Sequence, residues 1–351
     1  MLKYILNRLF YGFLVILGVV TVVFFLFFAL PGDPAETLLG NKGNAEQRKQ
    51  ITQELGLDKP LALQYIYYLN DLSFMSIHSD SPKAQKDYQY LVLIRMNETV
   101  LVAKMPYLRR SYLSKKRVSE ILYEDIGGTL VLALTAMFLA SIIGVTLGVI
   151  SALNARNWID YSLITITVAG ISTPSFVMAI LMANIFAFYL SEYTGLRLTG
   201  TLWELDPQFG YRMALSNLIL PAFTLALRPL AVITQLTRSS MLDVLTQDYI
   251  RTAKAKGIPK YVIIIKHALK NALNPVITAV SGWLATLMAG AFFIEYIFNW
   301  KGLGKTTIQA VQESDLPIVM GAVILVACIF VFVNIIVDVL YALLDPRVRL
   351  E

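Results

Sequence analysis

Residues 248–275 read DYIRTAKAKGIPKYVIIIKHALKNALNP and hold six Lys or Arg residues and one His between two long apolar runs. Membrane proteins concentrate Lys and Arg in the short loops that face the cytoplasm. The segment is therefore predicted to be a cytoplasmic loop of a membrane protein, with its charges presented to a partner at that surface.

The loop also carries the start and stop signals of two short helices. Asp248 suits a helix N-terminus, and Gly257 followed by Pro259 ends that helix. A second helix is predicted over about residues 260–272, before Pro275 opens the next apolar run. The pattern predicts two helices joined at a glycine turn.

Side chains of the first helix suit a docking surface, because small ones allow a close fit into a groove and basic ones meet an acidic rim. The small residues are Thr252, Ala253 and Ala255, and the basic ones are Arg251, Lys254 and Lys256. The other interpretation is that membrane topology alone accounts for the basic residues, since a cytoplasmic loop is basic in any case. Topology does not, however, require this order of helix, glycine turn and helix.

Composition places the chain in the membrane. Apolar residues make up 56% of the chain and charged ones 15%, with a mean hydropathy of +0.61. Ordinary soluble domains are less apolar and more charged. The single cysteine, Cys328, excludes an intramolecular disulfide, and two His residues without a cluster of other ligands predict no metal site.

Six apolar runs approach or exceed the roughly 20 residues that cross a bilayer. They are approximately Leu9 to Leu30, Thr129 to Leu153, Ser162 to Leu190, Leu215 to Leu236, Val276 to Phe298, and Ile318 to Leu344. The first run is longer than the roughly 7–15 apolar residues of a signal peptide, so we expect a retained span. These runs predict an all-α integral membrane protein with six transmembrane helices.

Charge sets the orientation. Residues 236–275 carry seven Lys or Arg against two Asp, in a chain whose formal net charge is +6. The positive-inside bias then places both termini in the cytoplasm and residues 31–128 outside. The expected organisation is an N-terminal span within residues 1–30, the extracytoplasmic segment 31–128, a membrane core over 129–344 containing the loop 237–275, and a cytoplasmic tail, 345–351.

The long outer segment is of mixed charge, which favours packing and contact with an extracytoplasmic partner over catalysis. Within it, KMPYLRRSYLSKKR at 104–117 is expected to form a solvated amphipathic helix. Binding of anionic lipid head groups is the alternative interpretation of this cluster.

DYIRTAKAKG followed by KHALKNALNP resembles the cytoplasmic signature loop of permease subunits of ABC importers, in the oligopeptide, dipeptide and nickel branch. In the broad pattern a Glu-Ala-Ala start precedes a Gly six residues after the Glu; here Arg251 takes the Glu position and Gly257 keeps its place. Further ordered matches are PGDPA at 31–35, LDKPLALQY at 57–65, TRSSML at 237–242, GLG at 302–304 and NIIVDVLYALLDPR at 334–347. The chain departs from the family near residues 71–76 (DLSFMS) and in a longer outer segment.

The resemblance implies a multi-pass permease in a bacterial cytoplasmic membrane, built into an ATP-driven importer for peptides or a similar small solute. The expected partners are a second homologous permease, two cytosolic ATPases that hold ATP and Mg²⁺, an extracytoplasmic binding protein and membrane lipid, with no nucleic acid. The residues that the resemblance assigns to ATPase coupling are Asp248, Tyr249, Arg251, Thr252, Ala253, Lys254, Ala255, Lys256 and Gly257.

Four residues are candidates for the transport pathway. A charged side chain within a span costs free energy to insert into the bilayer, so Arg228 and Glu295 are candidates for a functional role. Arg228 is expected to meet substrate, to pair with a partner chain or to extend its charge to the membrane surface. Glu295 is expected either to lie near the outer mouth of the pathway or to be an interfacial charge with a structural partner. Pro174 in GISTPSF removes a helix hydrogen bond, and the Ser172 hydroxyl can bond a freed carbonyl, which predicts a local kink. The kink either lines the pathway or lets helices shift, or it serves packing alone.

Chemistry by the chain itself is not predicted. GLGKTT at 302–307 lacks the Gly of a phosphate loop, because position 299 is Asn. No catalytic constellation supports a membrane enzyme, and no cofactor is expected. An ATPase-independent secondary transporter is the alternative function; that class is expected to show carboxylates in the middle of its spans and an inverted repeat.

Overall fold

The computed structural model describes residues 2–29, 52, 58–79, 85, 88–96, 99–206 and 210–344. In chain order its helices are α1 Leu2–Ala29, α2 Leu61–Leu72, α3 Val118–Leu153, α4 Trp158–Ser172, α5 Ser175–Met182, α6 Ser191–Thr194, α7 Ser216–Leu245, α8 Asp248–Ala255, α9 Lys260–Val262, α10 Lys270–Ala272, α11 Asn274–Gly290, α12 Phe292–Ile297, α13 Leu303–Gln312 and α14 Leu316–Leu344. Two π-helical segments, Ala183–Tyr189 and Ile263–Leu269, continue α5 and join α9 to α10. The PGDPA motif and the tail 345–351 lie outside the described residues.

In the part of the chain that the structure describes, four helices are long and apolar enough to cross a membrane: α1, α3, α7 and α14. Each corresponds to a predicted span, and α3 and α7 extend beyond the apolar runs by about two turns or more. Helices are therefore confirmed at these four predicted places, and each is a candidate span by its length and composition.

The third predicted span is broken instead of locally kinked. α4 and the helix that begins at Ser175 meet at an angle of 111°. Pro174 lacks the N–H that would continue the helix, and the preceding Thr173 is held in an extended conformation with ψ 131°. The pair counts as one bent span at most, so the break is larger than the local kink predicted at Pro174.

The fifth predicted span is also divided. α11 has 17 residues and ends at Gly290, and α12 follows after Ala291. The described residues therefore contain four candidate spans, or five when the bent pair is counted as one.

The chain is mostly but not wholly helical, which corrects the all-α prediction. Strands β1 Met75–Ser79, β2 Leu91–Met96 and β3 Thr99–Ala103 form an antiparallel sheet in the order β1-β3-β2, and β4 Trp203–Asp206 pairs with β5 Gly210–Met213. In β3 the side chains of Val100 and Val102 point to the buried face, so alternation at period two selects a strand.

The fold divides into two compact units. One comprises the described residues of Met1–Phe13, Asp125–Lys305 and Val326–Glu351, and the other those of Leu14–Glu124 and Thr306–Leu325. In the first unit, Gly144 of α3 lies so close to α7 that an added Cβ would be 2.9 Å from the Leu230 carbonyl oxygen. Glycine at this position thus permits a close contact between the two helices.

Candidate coupling loop and membrane pathway

Residues 248–272, which we call the basic hairpin, adopt the predicted helix, turn, helix arrangement. α8 ends where Gly257 takes a left-handed conformation with φ +73°. The Gly257 N–H donates to the Lys254 carbonyl at 3.0 Å, and the Ile258 N–H donates to the Ala253 carbonyl at 3.2 Å. These bonds satisfy the end of the helix in the manner that favours Gly at this position.

The inner face of α8 is fixed to the rest of the unit. Ile250 and Ala253 are buried in a cluster with Met241 of α7, Ile263 and Ala268. The Asn271 side-chain amide also donates to the Tyr249 hydroxyl at 2.9 Å, which ties the two arms of the hairpin together. The hairpin is therefore a packed element and not a loose loop.

The outer face of α8 is exposed. Ala253 faces inward, so the small residues available to a groove are Thr252 and Ala255, and this corrects the orientation expected for Ala253. The exposed positions of the predicted coupling set are Asp248, Tyr249, Arg251, Thr252, Lys254, Ala255, Lys256 and Gly257. Asp248 and Arg251 form an ion pair at 3.4 Å with both side chains largely in solvent, so the pair contributes little stability. The coupling role of this face stays a prediction.

The sequence does not predict an ion pair that lies beside the hairpin and has a buried carboxylate. Arg238 of α7 donates from Nε and Nη2 to the two carboxylate oxygens of Asp160, at 2.6 Å each. Ser151 of α3 donates to the same carboxylate at 2.5 Å, and the Arg156 N–H does so at 2.9 Å. The Asp160 side chain is 1% exposed. The carboxylate thus joins the ends of α3, α4 and α7.

A signal for this pair was present in the sequence. Arg238 belongs to TRSSML, and Asp160 lies just before the third apolar run. Opposite charges at neighbouring ends of two predicted spans are candidates for pairing, but the pairing itself requires knowing which spans are adjacent.

Glu295 is enclosed by its own unit. Its carboxylate accepts hydrogen bonds from the Thr129 hydroxyl at 2.7 Å and from the N–H groups of Gly304 and Lys305 at 2.7 and 3.2 Å. The residue is fully buried. The GLGKTT segment therefore forms the N-terminus of helix α13, and its N–H groups bind the buried Glu295 carboxylate. The helix dipole favours negative charge at this end. The geometry agrees with a structural partner for Glu295.

Arg228 and the Pro174 break meet at one cavity. The cavity has a volume of about 100 Å³ and is lined by Arg228, Thr173 and Ser175 among others. Ser172 lies beside this group, where its hydroxyl donates to the Val168 carbonyl at 3.1 Å. Three of the four pathway candidates, Ser172, Pro174 and Arg228, are thus brought to one region of the membrane unit, and Glu295 is held elsewhere by its own partners.

The second unit contains a buried polar cluster centred on Asp71. Its carboxylate accepts from the Tyr88 hydroxyl at 2.9 Å and from Arg109 Nε at 3.3 Å, and its carbonyl accepts from Lys104 Nζ. Burial lowers the pKa of Lys104 to about 8, against the opposing effect of the Asp71 charge. Burial raises the pKa of Tyr88, and the neighbouring Asp71 adds to the rise.

This cluster corrects the prediction for residues 104–117. They contain no helix, and Lys104 is buried instead of lying on a solvated helical face. Arg109 takes a left-handed conformation with φ +65° and directs its guanidinium to Asp71. Lys104 and Arg109, two of the cations of residues 104–117, therefore have a structural partner in Asp71. Among the described residues, no group of three or more His, Cys, Asp or Glu side chains is arranged to hold a metal ion.

The long apolar helices are those of a multi-pass membrane protein, and the packed basic hairpin is the segment that resembles the permease signature loop. The family described as binding-protein-dependent transport system inner membrane component matches residues 144–350, and its N-terminal counterpart matches residues 1–133. The chain belongs to this family. It is the permease subunit of an ATP-driven, binding-protein-dependent importer in the inner membrane, as the resemblance predicted.

Relatives align over the whole chain. The dipeptide transport system permease protein DppB of Escherichia coli K12 is 35% identical over 369 residues, covering 99% of each protein. DppB of Alkalihalophilus pseudofirmus is 34% identical and covers 99% of this chain and 100% of that protein. A putative peptide permease of Brucella suis is also 34% identical, with 99% of each chain covered.

Solved structures agree with the fold. A chain of the MetNI methionine ABC transporter in an inward-facing conformation has a TM-score of 0.52 and 18% identity, covering 65% of this chain and 97% of that chain. A second crystal form of the same transporter gives a TM-score of 0.50. At this identity the likeness concerns the fold. Membership in an importer family implies ATPase and substrate-binding-protein partners. It argues against the alternative function of an ATPase-independent secondary transporter.

Proposed function

We propose that this chain imports peptides or a similar small solute as one of two permease subunits, coupled to cytosolic ATPases through the exposed face of α8. The observation that carries the coupling role is the packing of the basic hairpin. Ile250 and Ala253 fix α8 to the unit, while Thr252, Lys254 and Ala255 remain open to a partner. A rigid exposed helix transmits displacement, because its buried side moves with the spans.

The peptide substrate is supported by the relatives. The E. coli and A. pseudofirmus proteins are named dipeptide permeases and the B. suis protein a putative peptide permease, and each aligns over 99% of this chain. The chain would line the pore together with a homologous permease. An extracytoplasmic binding protein would deliver the peptide.

The proposed topology has six spans with both termini in the cytoplasm. The four long helices and the bent pair supply five spans, and α11 with α12 supplies the sixth. The basic hairpin then faces the cytoplasm with its Lys and Arg residues, as the positive-inside bias requires. The segment that contains β1, β2 and β3 faces the opposite side.

The proposed mechanism is alternating access. Closure of the ATPase dimer on ATP and Mg²⁺ displaces α8, and the buried cluster carries that displacement to Ala152 of α3 and Met241 of α7. The Arg238 and Asp160 pair holds the ends of α3, α4 and α7 together, so these helices move as a group. Nucleotide binding shifts the population of inward-facing and outward-facing states, and the permease itself performs no chemistry.

Reconstitution tests the proposal. The chain is purified with its partner permease, ATPases and binding protein, inserted into liposomes and supplied with a radiolabelled dipeptide. We expect uptake that requires ATP on the ATPase side of the membrane and the binding protein on the other side. Uptake driven by a proton gradient without ATP, or no dipeptide uptake by the complete system, contradicts the proposed function.

A further inference from the structure

Arg228 is a charge in the middle of a membrane-spanning helix without a partner among the described residues. It lies near the centre of the 30-residue α7, and it forms no hydrogen bond or ion pair with any residue that the structure describes. A cation at the centre of a span costs roughly 2.5–3.5 kcal/mol on insertion scales. Such residues usually face a cavity and interact with another charged group.

The lining of the cavity beside Arg228 supplies no counter-charge from the described part of the chain. Apart from Arg228, each side chain that lines its volume of about 100 Å³ is uncharged. The polar members besides Arg228 and the indole of Trp283 are the hydroxyl residues Thr173, Ser175, Thr224 and Thr286. A pocket with one cation and no carboxylate favours a ligand that supplies negative charge.

Of the four hydroxyl groups that line the cavity, three can only accept a hydrogen bond from a ligand and one can donate. Thr173, Thr224 and Thr286 each donate back to a carbonyl oxygen of their own helix, at 3.0, 2.7 and 3.1 Å. A hydroxyl has one hydrogen, so these oxygens have only lone pairs to offer the cavity. The Ser175 hydroxyl makes no such bond within the described residues, and it retains its hydrogen for a ligand.

We propose that this cavity binds the C-terminal end of a peptide during transport, with Arg228 and Ser175 donating to its carboxylate and the threonine oxygens accepting from the neighbouring peptide N–H. A C-terminal residue carries both groups a few ångströms apart. An engineered protein cavity of about 150 Å³ holds one benzene molecule, so a volume of about 100 Å³ suits a terminal group and not a whole peptide. This inference rests on the proposed peptide-import function.

The test compares dialanine with dialanine amide, which lacks the terminal negative charge, in liposomes that contain the complete transporter. Uptake rates of both peptides are measured for the wild type and for Arg228→Met. The binding protein has its own preference between the two peptides, but that preference is common to both transporters and cancels in the comparison of ratios. We expect Arg228→Met to lower the acid-to-amide ratio by roughly tenfold, the loss typical of one charge-assisted hydrogen-bonded contact.

Two further variants keep the proposal falsifiable. Arg228→Lys retains the charge and is expected to keep part of the preference for the acid. Ser175→Ala, which removes the free hydroxyl without altering charge, is expected to lower the ratio several-fold.

Three results overturn the proposal. The first is an unchanged acid-to-amide ratio in Arg228→Met. The second is failure of Arg228→Met to assemble with the partner permease while Arg228→Lys assembles, because Arg228 then pairs with a carboxylate of that subunit. The third is that the wild type takes up neither peptide, which overturns the proposed function as well. Dialanine uptake by the wild type, together with an unchanged acid-to-amide ratio in Arg228→Met, overturns the subsite alone.

Discussion

The guanidinium of Arg238 donates two hydrogen bonds of 2.6 Å to the carboxylate of Asp160. Arg238 lies one turn before Met241, which packs beneath the basic hairpin. The pair thus fixes α7 to α4 close to the place where α8 is attached. An ion pair with two parallel bonds is directional, so it holds the orientation of the two helices as well as their separation.

Replacing Arg238 with Met is predicted to destabilise the subunit by about 3 kcal/mol, because removal of one partner leaves a buried charge uncompensated. Asp160 is 1% exposed and would retain only Ser151 and the Arg156 N–H as donors. Thermal unfolding of the purified complex in detergent measures the loss. Arg197→Met is the matched control, since Arg197 is 63% exposed in its pair with Glu204 and is expected to contribute less than about 1 kcal/mol. Equal effects of the two variants would show that the buried pair has no special role.

Glu295 is predicted to act through the helix that it caps. Glu295→Ala leaves the N–H groups of Gly304 and Lys305 and the Thr129 hydroxyl without an acceptor, and we expect a loss of at least about 2 kcal/mol. Glu295→Gln keeps an acceptor and is expected to cost about 1 kcal/mol through the lost charge at the helix N-terminus. Thermal unfolding ranks the two variants, with the exposed Glu313→Ala as control. Full stability of Glu295→Ala together with lost transport would place Glu295 in the pathway instead.

The outer segment is predicted to become more stable as pH rises from about 8 towards 10. Burial lowers the pKa of Lys104 to about 8 from an ordinary value of 10.5, so the unfolded state binds more protons in this range and folding gains with pH. The range ends near pH 10, where the raised pKa of Tyr88 produces the opposite trend. Hydrogen exchange of the β3 amides, corrected for intrinsic rates at pH 7.5 and 9.5, measures the change. Lys104→Met should remove the increase, and an identical increase in that variant would refute the assignment.

Gly257→Val is predicted to uncouple ATP hydrolysis from transport while the protein still inserts into the membrane. A β-branched residue at φ +73° is strained by about 1–3 kcal/mol, which distorts the turn that ends α8. The ratio of peptide transported to ATP hydrolysed in liposomes measures the uncoupling. Gly195→Val applies similar strain at φ +65° outside the basic hairpin, and a Cβ added at either glycine would meet no described atom within 4 Å. Normal transport by Gly257→Val would count against coupling through this turn.

Charge reversal on the exposed face is a separate test of coupling. Arg251→Glu with Lys254→Glu is predicted to lower transport several-fold without loss of insertion, because an acidic rim on a partner would repel the new charges. Uptake is measured with the membrane abundance of each variant, and Lys270→Glu on the second arm is the control. Unchanged uptake by the double variant would exclude an electrostatic contribution of this face.

The features that local sequence determines were predictable. Gly257 and Pro259 define the turn of the basic hairpin within four residues, and the apolar runs locate α1, α3, α7 and α14. Each of these depends on contacts or propensities close in the chain. Hydropathy alone does not distinguish a straight span from the 111° break at Pro174, because the residues on both sides are equally apolar.

Features that depend on distant residues were missed. The carboxylates of Asp160 and Asp71 bind cations 78 and 38 residues away, and the sequence gives no measure of those distances in space. Lys104 and Arg109 contact Asp71, which lies more than 30 residues earlier, so local sequence does not distinguish them from residues of a solvated helix. β1 and β2 each pair only with β3 among the described strands, and strands of five or six residues give a weak periodic signal.

Cross-linking along α8 tests the central claim most directly. Cys328 is the only cysteine of the chain, so single cysteines are introduced into a Cys328→Ser background at Thr252, Ala255 and, as the buried control, Ala253. A thiol-reactive cross-linker is applied to membranes that contain the complete transporter. We expect Thr252→Cys and Ala255→Cys to cross-link to an ATPase subunit and Ala253→Cys not to. Absence of an ATPase product from both exposed positions, in variants that still transport, would contradict the docking of α8 on the ATPase.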